Sequence, residues 1–549
     1  MKRLGESMKV DSSAVIVEQV PSLCPRCDAK ISALILERDG KIYQRSFCRE
    51  HGASESLLFS SSDLYHKLDA WNRLVFQSPD GNRQTCGEED ARHLPFSSNA
   101  PTLGIIDLTN SCNYHCPLCF AESGTRDHSY FLSMDVVRKM LESLLKKPSI
   151  PCRNVQFSGG EPTLHPEFPE ILRLARTMGF THIQVATNGR RFADAGYVAR
   201  CEEMGLHTLY LQFDSMNDDV YLKMRGRRLL DEKIAVVDSV AKTNMRIVLV
   251  PTIASGINVD QIGPIFNFAL EYCRHVTGIS IQPAAFIGRV QIDREEERPF
   301  NLAEMAIEFS RQTGLTRFPD DWFPLNAVSM ITRGIGRIRG DLLPTPACDA
   351  HCSLGTYFYI DERKNPFCIN RFLDMESFFR TFGGLAPRQK GNGLRRRISR
   401  LRELQVLAGC FDRRRAPEGL SFLRLLRSLD GWEDKSRGRA RGWFQKGFNG
   451  MFVAGMHFMD SHNYNFRRVR RCIVQYVTTG GDLIPFCSYN AGPRYRSMEE
   501  LWRSTSPELP RRAANPSTNR GDFRVAEETA LALRVPPKIK LDKFLPLDY

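Results

Sequence analysis

The feature that most constrains this 549-residue chain is an alternation of strand and helix patterns between residues 101 and 300. The predicted strands are short, mostly apolar runs at Leu103–Thr109, Asn154–Phe157, His182–Ala186, Thr208–Phe213, Arg246–Pro251 and Gly278–Gln282. Strand–helix units of about thirty residues are typical of a parallel sheet. We therefore predict an α/β core whose sheet is either doubly wound or curved toward a barrel.

A cysteine triplet follows directly on the first of these strands. Cys112, Cys116 and Cys119 are separated by three and then two residues. They lie at the carboxyl end of the strand, the edge where parallel α/β folds place their active sites. A cubane iron–sulfur cluster ordinarily takes four cysteines, so three thiolates leave one iron open to an exogenous ligand. The alternative is a structural zinc knuckle completed by His115 or His128.

The next two strand ends also carry residues suited to ligand binding. Gly159, Gly160 and Glu161 follow the second strand, and Asn188 follows the third. Glycines let the backbone approach a ligand closely, and a carboxylate can face an ammonium group. With the cysteine triplet, these segments resemble the radical S-adenosylmethionine superfamily.

That resemblance implies a partial (β/α)6 barrel and a 4Fe–4S cluster held by Cys112, Cys116 and Cys119. It also implies that S-adenosylmethionine is seated by Gly159, Gly160, Glu161 and Asn188. An external donor would reduce the cluster, and one electron would cleave the cofactor to a 5′-deoxyadenosyl radical. This radical abstracts hydrogen from an unactivated carbon, while the protein positions the cofactor and excludes solvent.

Residues 21–60 form a second, smaller unit with a strong hairpin signal at Asp39-Gly40. Its candidate metal ligands are Cys24, Cys27, Cys48 and His51. A core of this size usually needs a metal, and this ligand set suits mononuclear zinc or a rubredoxin-like iron. A structural role is favoured over an electron relay, and iron with four thiolates would need a further cysteine such as Cys86.

Four more cysteines lie in two pairs beyond residue 300. Cys348 with Cys352 and Cys472 with Cys487 could hold a closed auxiliary cluster, and the alternative is four unrelated core thiols. With the module at 21–60, these pairs resemble the tetraether (membrane-spanning lipid) synthase group and its relatives. The chain departs from that group before the triplet, where it offers only Cys86, so the number of auxiliary clusters stays open.

The basic charge of the chain is concentrated in one segment. The sequence holds 76 Lys and Arg against 63 Asp and Glu, and most of the excess lies in 388–446. This segment is either a solvated helix, a nucleic-acid contact or an anionic-membrane contact with Trp432, Trp443 and Phe444 as interfacial anchors. A lipid substrate favours the membrane contact, and nucleic acid is the least favoured partner.

We predict six regions along the chain. They are a flexible N-terminus at 1–20, a zinc-ribbon or rubredoxin-like module at 21–60, a connector at 61–100, the radical enzyme core at 101–300, an α+β auxiliary-cluster region at 301–510 and a tail at 511–549. No apolar run approaches the roughly 18 residues of a membrane helix, and no signal peptide precedes the core. The sequence therefore predicts a cytoplasmic protein with peripheral membrane contact through 388–446.

The predicted function is that of a radical S-adenosylmethionine enzyme that forms carbon–carbon bonds on lipid alkyl chains. Two alternatives stay open at this point. The first is radical modification of a peptide or another large substrate. The second, from a different class, is a non-enzymatic metal-binding regulator that contacts DNA through its basic segment.

Overall fold

The computed structural model describes residues 13–76, 99–124, 129–146, 148, 150–291, 299–339, 343, 345–385, 404–430 and 447–491. Several sequence predictions fall outside these ranges. They concern Cys86, His128, Trp432, Trp443, Phe444, the tail at 511–549 and parts of 388–446.

The N-terminal module is a four-stranded antiparallel sheet in chain order. Its strands are β1 Val15–Leu23, β2 Lys30–Arg38, β3 Lys41–Cys48 and β4 Gly52–Phe59. The hairpin predicted at Asp39-Gly40 is confirmed, because both residues have positive φ angles, 52° and 68°, as a tight hairpin turn requires. The prediction of a flexible N-terminus to residue 20 is wrong from Val15 onward, since β1 pairs with β2 along its length.

The predicted connector contains a helix that sequence analysis missed, α1 Ser62–Phe76. Leu64, Leu68, Trp71 and Val75 repeat at helical spacing and are buried. The polar residues between these four positions obscured the helical periodicity in the sequence. The helix packs against the 3-10 turn Ala350–Cys352 and thereby connects the N-terminal module to the C-terminal region.

The six predicted core strands are all present. The strands in this part of the chain are β5 Leu103–Thr109, β6 Leu118–Cys119, β7 Asn154–Gly159, β8 His182–Thr187, β9 Thr208–Gln212, β10 Arg246–Val250, β11 Thr252–Ile253, β12 Val276–Pro283 and β13 Arg289–Val290. Parallel pairing follows the order β5-β7-β8-β9-β10-β12. This order never reverses, which is the pattern of a barrel rather than of a doubly wound sheet.

Amphipathic helices connect the core strands. They are α2 Met134–Lys146, α3 Phe168–Thr177, α4 Ala195–Met204, α5 Asp218–Arg225, α6 Leu230–Val240 and α7 Ile262–Glu271. In α3, for example, Phe168, Ile171, Leu172 and Ala175 are fully buried. These helices cover the sheet on one side and leave the carboxyl ends of its strands free to form a site.

The C-terminal region adds strands to both sides of the parallel core. Its strands are β14 Phe323–Pro324, β15 Ser353–Asp361, β16 Pro366–Cys368, β17 Phe448–Met456, β18 Val474–Val477 and β19 Leu483–Pro485. Its helices are α8 Leu302–Thr313, α9 Val328–Arg339, α10 Met375–Gly383, α11 Phe422–Asp430, α12 Phe466–Arg470 and α13 Phe486–Ala491. β17 pairs in parallel with β12, and β18 pairs in parallel with β5. The region therefore continues the core sheet, and among the described residues no helix is long and apolar enough to span a bilayer.

Candidate active site and metal centres

The cysteine triplet lies on the loop that leaves β5, directly against the glycine segment that ends β7. The Gly160 amide donates to the Thr109 carbonyl at 2.7 Å. A Cβ added at Gly159 would lie 2.1 Å from that same carbonyl oxygen, and one at Gly160 would lie 2.2 Å from the Ser111 carbonyl. The two glycines are therefore required because the cysteine loop packs on them, a reason that sequence analysis did not foresee.

Two thiols of the triplet, those of Cys112 and Cys116, have raised pKa values. Burial, together with negative charge on Glu161, Cys116 and Cys119, raises the pKa of Cys112 to about 12. Burial also raises the pKa of Cys116, although Arg225 opposes this shift. Thiols that hold their protons in this way ionise when a metal binds them, so the loop fits a metal centre.

The spacing of the triplet does not fit a single zinc ion. Within the part of the chain that the structure describes, one group places three or more possible ligand atoms within 4.8 Å of one another, and it is the N-terminal set Cys24, Cys27, Cys48 and His51. The sulfurs of the triplet are spread more widely. This spread is compatible with several irons and argues against a zinc knuckle completed by His115.

Two arginines hold the cysteine loop by its carbonyl groups, and sequence analysis identified neither. Arg225, at the end of α5, donates from Nη1 to the Leu118 carbonyl at 2.7 Å. Its Nε and Nη2 donate to the buried Asp214 carboxylate at 2.7 and 2.9 Å. Arg289 donates from Nε to the Cys116 carbonyl at 2.7 Å. The loop geometry is thus set by charged side chains from distant parts of the sequence.

The Glu161 carboxylate connects the ends of β7 and β8. It is 1% exposed, and Oε1 accepts hydrogen bonds from the Thr163 and Thr187 hydroxyls at 2.6 and 2.8 Å. Oε2 accepts from the Asn188 amide at 2.8 Å. The Asn188 side chain in turn donates to Asn113 in the cysteine loop at 2.7 Å. Oε2 keeps acceptor capacity for a cofactor ammonium, while most of the carboxylate serves to organise the site.

A buried lysine provides a positive charge at the same edge of the sheet. Lys233 of α6 is 0% exposed, and its Nζ donates to Gln212 Oε1 at 2.9 Å and to the Asn188 carbonyl. Burial lowers its pKa to about 8. No carboxylate of the described residues lies within ion-pair distance of it. Asp214, Glu232 and Glu161 act on its charge from farther away, so a closer anionic partner would stabilise it. The carboxylate of S-adenosylmethionine would supply that partner, so these residues fit the cofactor.

The four C-terminal cysteines approach one another although they are distant in sequence. Burial raises the pKa of Cys348, and charges on Cys352 and Cys472 add to the shift. Burial likewise raises the pKa of Cys472 to about 12, with a contribution from Cys487. Charges of this kind act over several ångströms, so the structure brings both predicted pairs into one region. No three of the four sulfurs lie within 4.8 Å of one another.

Backbone contacts explain how the two pairs meet. The Asn99 side-chain amide donates to the carbonyls of Ala347 and Arg471, at 2.7 and 3.0 Å, and these residues directly precede Cys348 and Cys472. The Met459 amide donates to the Cys487 sulfur at 3.5 Å. By contrast, Cys368 is 2% exposed and contacts the Thr356 hydroxyl.

The N-terminal site is compact. Its His51 Nδ1 lies 3.7 Å from the Cys24 sulfur and 3.6 Å from the Cys48 sulfur, and the sulfurs of Cys27 and Cys48 are 3.9 Å apart. The hydrogen bond from His51 lowers the pKa of Cys48 to about 6. Three sulfurs and one imidazole in this arrangement form a closed site for zinc or iron. Its ligand set is complete without Cys86.

Three half-buried phenylalanines connect the triplet to the C-terminal cysteines, and we call them the phenyl bridge: Phe120, Phe458 and Phe486. Phe120 directly follows Cys119, and Phe486 directly precedes Cys487. The rings of Phe120 and Phe486 stack with centroids 5.4 Å apart, and those of Phe458 and Phe486 with centroids 4.2 Å apart. Sequence analysis missed the phenyl bridge, although Phe120 and Phe486 each adjoin a predicted cysteine ligand.

Two family models match the chain. The model for the radical SAM superfamily matches residues 106–269, and the model for the HMPTM N-terminal zinc ribbon domain matches residues 16–60. The first range holds the cysteine triplet and the glycine segment. The second coincides with the N-terminal sheet.

The chain is also similar to proteins of known name. It is 32% identical over 484 residues to the 7,8-dihydro-6-hydroxymethylpterin dimethyltransferase of Methanocaldococcus jannaschii, a match that covers 87% of this chain and 94% of that protein. It is 28% identical over 184 residues to the GTP 3′,8-cyclase of Chlorobaculum tepidum, covering 32% of this chain and 53% of the cyclase. The cyclase match is thus confined to about half of that protein.

Solved structures give weaker likenesses. Streptococcus suis SuiB bound to S-adenosylmethionine aligns with a TM-score of 0.33 and 16% identity, covering 38% of this chain and 46% of that one. Methylornithine synthase (PylB) aligns with a TM-score of 0.33 and 13% identity, covering 46% of this chain and 71% of that one. Scores at this level carry no argument about substrate.

Proposed function

We propose that this chain, which belongs to the radical SAM superfamily and to the family of the pterin dimethyltransferase, forms carbon–carbon bonds at unactivated carbons of lipid alkyl chains. Membership makes the protein a radical enzyme whose cofactors are a 4Fe–4S cluster and S-adenosylmethionine. When bound, this pair supplies a 5′-deoxyadenosyl radical that abstracts hydrogen. The regulator of DNA proposed from the basic segment does not fit this family.

We assign the parts of the site as follows. Cys112, Cys116 and Cys119 would hold the catalytic cluster. Gly159, Gly160, Glu161, Asn188 and Lys233 would seat the cofactor. Cys348, Cys352, Cys472 and Cys487 would hold an auxiliary cluster, and Cys24, Cys27, Cys48 and His51 would hold zinc or iron.

The lipid proposal rests on exposed apolar residues in the basic segment and, at the site itself, on the phenyl bridge. Its three rings are half-buried and stand beside the triplet, so an alkyl chain could pack on them without leaving polar groups unsatisfied. An apolar contact also keeps water from a reactive carbon radical. The bridge reaches from Cys119 to Cys487, so a substrate lying on it would be near both cysteine sites.

Exposed apolar residues in the basic segment support the same substrate. Within its described part, 404–430, Leu404, Val406 and Leu423 are 43%, 57% and 61% exposed. Apolar side chains among arginines are typical of surfaces that contact anionic membranes. Membrane contact stays a prediction, because the interfacial anchors predicted at Trp432, Trp443 and Phe444 lie outside the described residues.

The second candidate function is methyl transfer to a pterin. It is favoured by the dimethyltransferase, which matches this chain over 94% of its own length. A flat pterin ring would stack on the phenyl bridge as readily as an alkyl chain would pack on it. The bridge alone therefore does not separate the two substrates, and the experiment must.

The test uses anaerobically reconstituted protein with S-adenosylmethionine, a strong reductant and one of two substrates. One is a lipid with perdeuterated alkyl chains, and the other is 7,8-dihydro-6-hydroxymethylpterin. We expect deuterium from the lipid in 5′-deoxyadenosine and a coupled lipid product by mass spectrometry. Methylated pterin, with no deuterium transfer from the lipid, would refute the lipid proposal and establish the second candidate.

A further inference from the structure

A polar cavity of about 290 Å³ lies where the N-terminal sheet, α1 and residues 457–471 meet. Its wall includes Gln44 from β3, Asn72 from α1, and His457 and Arg468 from the C-terminal region. No cysteine is among the described residues that line it. The cavity therefore contains none of the predicted metal ligands, although Arg468 in its wall also contacts Cys352 of the C-terminal cysteine site. The proposed function does not use the cavity.

The charges in the cavity wall leave one arginine without a carboxylate. The three acidic residues of the wall are each paired with an arginine: Glu18 with Arg467, Asp69 with Arg73, and Asp349 with Arg471. Arg468 is 7% exposed and forms no ion pair with a carboxylate in the described ranges. Its guanidinium instead contacts the Cys352 sulfur and interacts at longer range with Cys487 and Asp349.

Arg468 and His457 each offer the cavity a hydrogen-bond donor without a partner. Arg468 Nη2 donates to the His457 carbonyl at 2.9 Å, while its buried Nε–H has no acceptor. The Asn463 amide lies 3.5 Å from His457 Nε2. Because an amide NH2 can only donate, Nε2 is the acceptor and the proton sits on Nδ1, which is buried and without a partner.

Gln44, from the N-terminal sheet, supplies the complementary group. Its Nε2 donates to the Ser22 hydroxyl at 3.1 Å, which leaves its buried Oε1 as an acceptor without a partner. Buried polar groups are normally satisfied, so two donors and one acceptor around one cavity indicate a polar ligand. The donors suit an oxyanion, and the acceptor suits a hydroxyl group.

We propose that this cavity binds a small organic phosphate, with its phosphoryl oxygens on Arg468 and His457 and a hydroxyl on Gln44. A guanidinium fork matches phosphate geometry, and the neighbouring arginines Arg467 and Arg471 add positive potential. The volume accommodates a phosphate and a short polyol but not a nucleotide. A soluble phosphate ester and the head group of a phospholipid share this chemistry.

The test is calorimetric titration of reconstituted full-length protein, without reductant or S-adenosylmethionine, with glycerol phosphate and with inorganic phosphate. We expect saturable binding with one site. Arg468→Gln should weaken it at least tenfold, and Arg380→Gln, which changes an exposed helical pair with Glu376, should leave it unchanged. Absence of saturable binding, or equal loss in both variants, would overturn the proposal.

A second variant covers the case in which Arg468→Gln does not fold. Gln44→Leu should weaken glycerol phosphate about fivefold and leave inorganic phosphate unchanged, because only the ester has a hydroxyl for this residue. Unchanged affinity for both would overturn the assignment.

Displacement of glycerol phosphate by phosphatidic acid vesicles would identify the lipid head group as the source, and no displacement would identify a soluble ester. Neither result depends on the substrate of the radical reaction.

Discussion

The N-terminal site and the cysteine triplet both present three cysteines at strand ends and on the adjoining loops, but the two sites differ in purpose. In the N-terminal site, His51 completes four ligand atoms within 4.8 Å, and all of them come from one small sheet. The triplet has no such fourth ligand among the residues that the structure describes. Its loop is held by arginines and glycines from elsewhere in the core. A closed site stabilises a fold, whereas a site with a free position can do chemistry.

The most severe way to break this comparison is to remove one thiol of the triplet. Cys116→Ala should abolish formation of 5′-deoxyadenosine, because two local thiolates do not hold the cluster against loss of iron. The product is measured by liquid chromatography after reduction with S-adenosylmethionine. Metal content at the N-terminal site should be unchanged. Product at more than about a hundredth of the wild-type amount would contradict the assignment.

The second prediction removes a ligand of the N-terminal site and leaves the triplet intact. Cys48→Ser should remove the N-terminal metal and accelerate amide exchange in residues 15–59 by at least about a hundredfold, because this sheet is too small to persist without it. Cys410→Ser, at a half-buried cysteine outside the three sites, serves as the control. The variant should still produce 5′-deoxyadenosine. If the variant lost 5′-deoxyadenosine formation together with the metal, the N-terminal site would be an electron relay and not a structural metal site.

A third substitution tests how the triplet loop is held. Arg225→Gln should destabilise the protein by about 3–5 kcal/mol, since it leaves the Asp214 carboxylate buried without its partner. Thermal or denaturant unfolding measures the loss, and iron content after reconstitution should fall with it. The matched control is Arg228→Gln, which changes an exposed pair with Asp219. Equal stability in the two variants would show that the buried pair does not hold the loop.

These side chains mark the limit of what the sequence predicts. The six core strands, the hairpin at Asp39-Gly40 and the superfamily are confirmed, because strand periodicity, turn chemistry and cysteine spacing are local signals. Arg225, Arg289 and Lys233 act on the loop and the strand ends only after helices from other parts of the chain pack there. No local pattern separates them from the 76 basic residues of the sequence. The same holds for α1, whose buried stripe is visible only once its partners are known.

The smallest expected effect, and the most specific one, is that of substituting Lys233 on the binding of S-adenosylmethionine. Lys233→Met should weaken binding of S-adenosylmethionine about 10–100-fold, the value of a hydrogen-bonded charge pair, whereas Lys223→Met on the exposed face of α5 should not. Burial lowers the Lys233 pKa to about 8, so the ammonium is charged below that pH and neutral above it. The affinity of the wild type for S-adenosylmethionine should therefore decline as pH rises through 8. The cofactor's own amine also titrates, and the Lys233→Met variant measures that contribution separately, so the wild type should show the larger decline. Calorimetry from pH 7 to 9.5 measures the affinity of the wild type and of Lys233→Met for S-adenosylmethionine at each pH. Parallel curves for the two proteins would show that the Lys233 charge is not available to the cofactor. The catalytic edge would then resemble the closed N-terminal site in keeping no group free for a ligand.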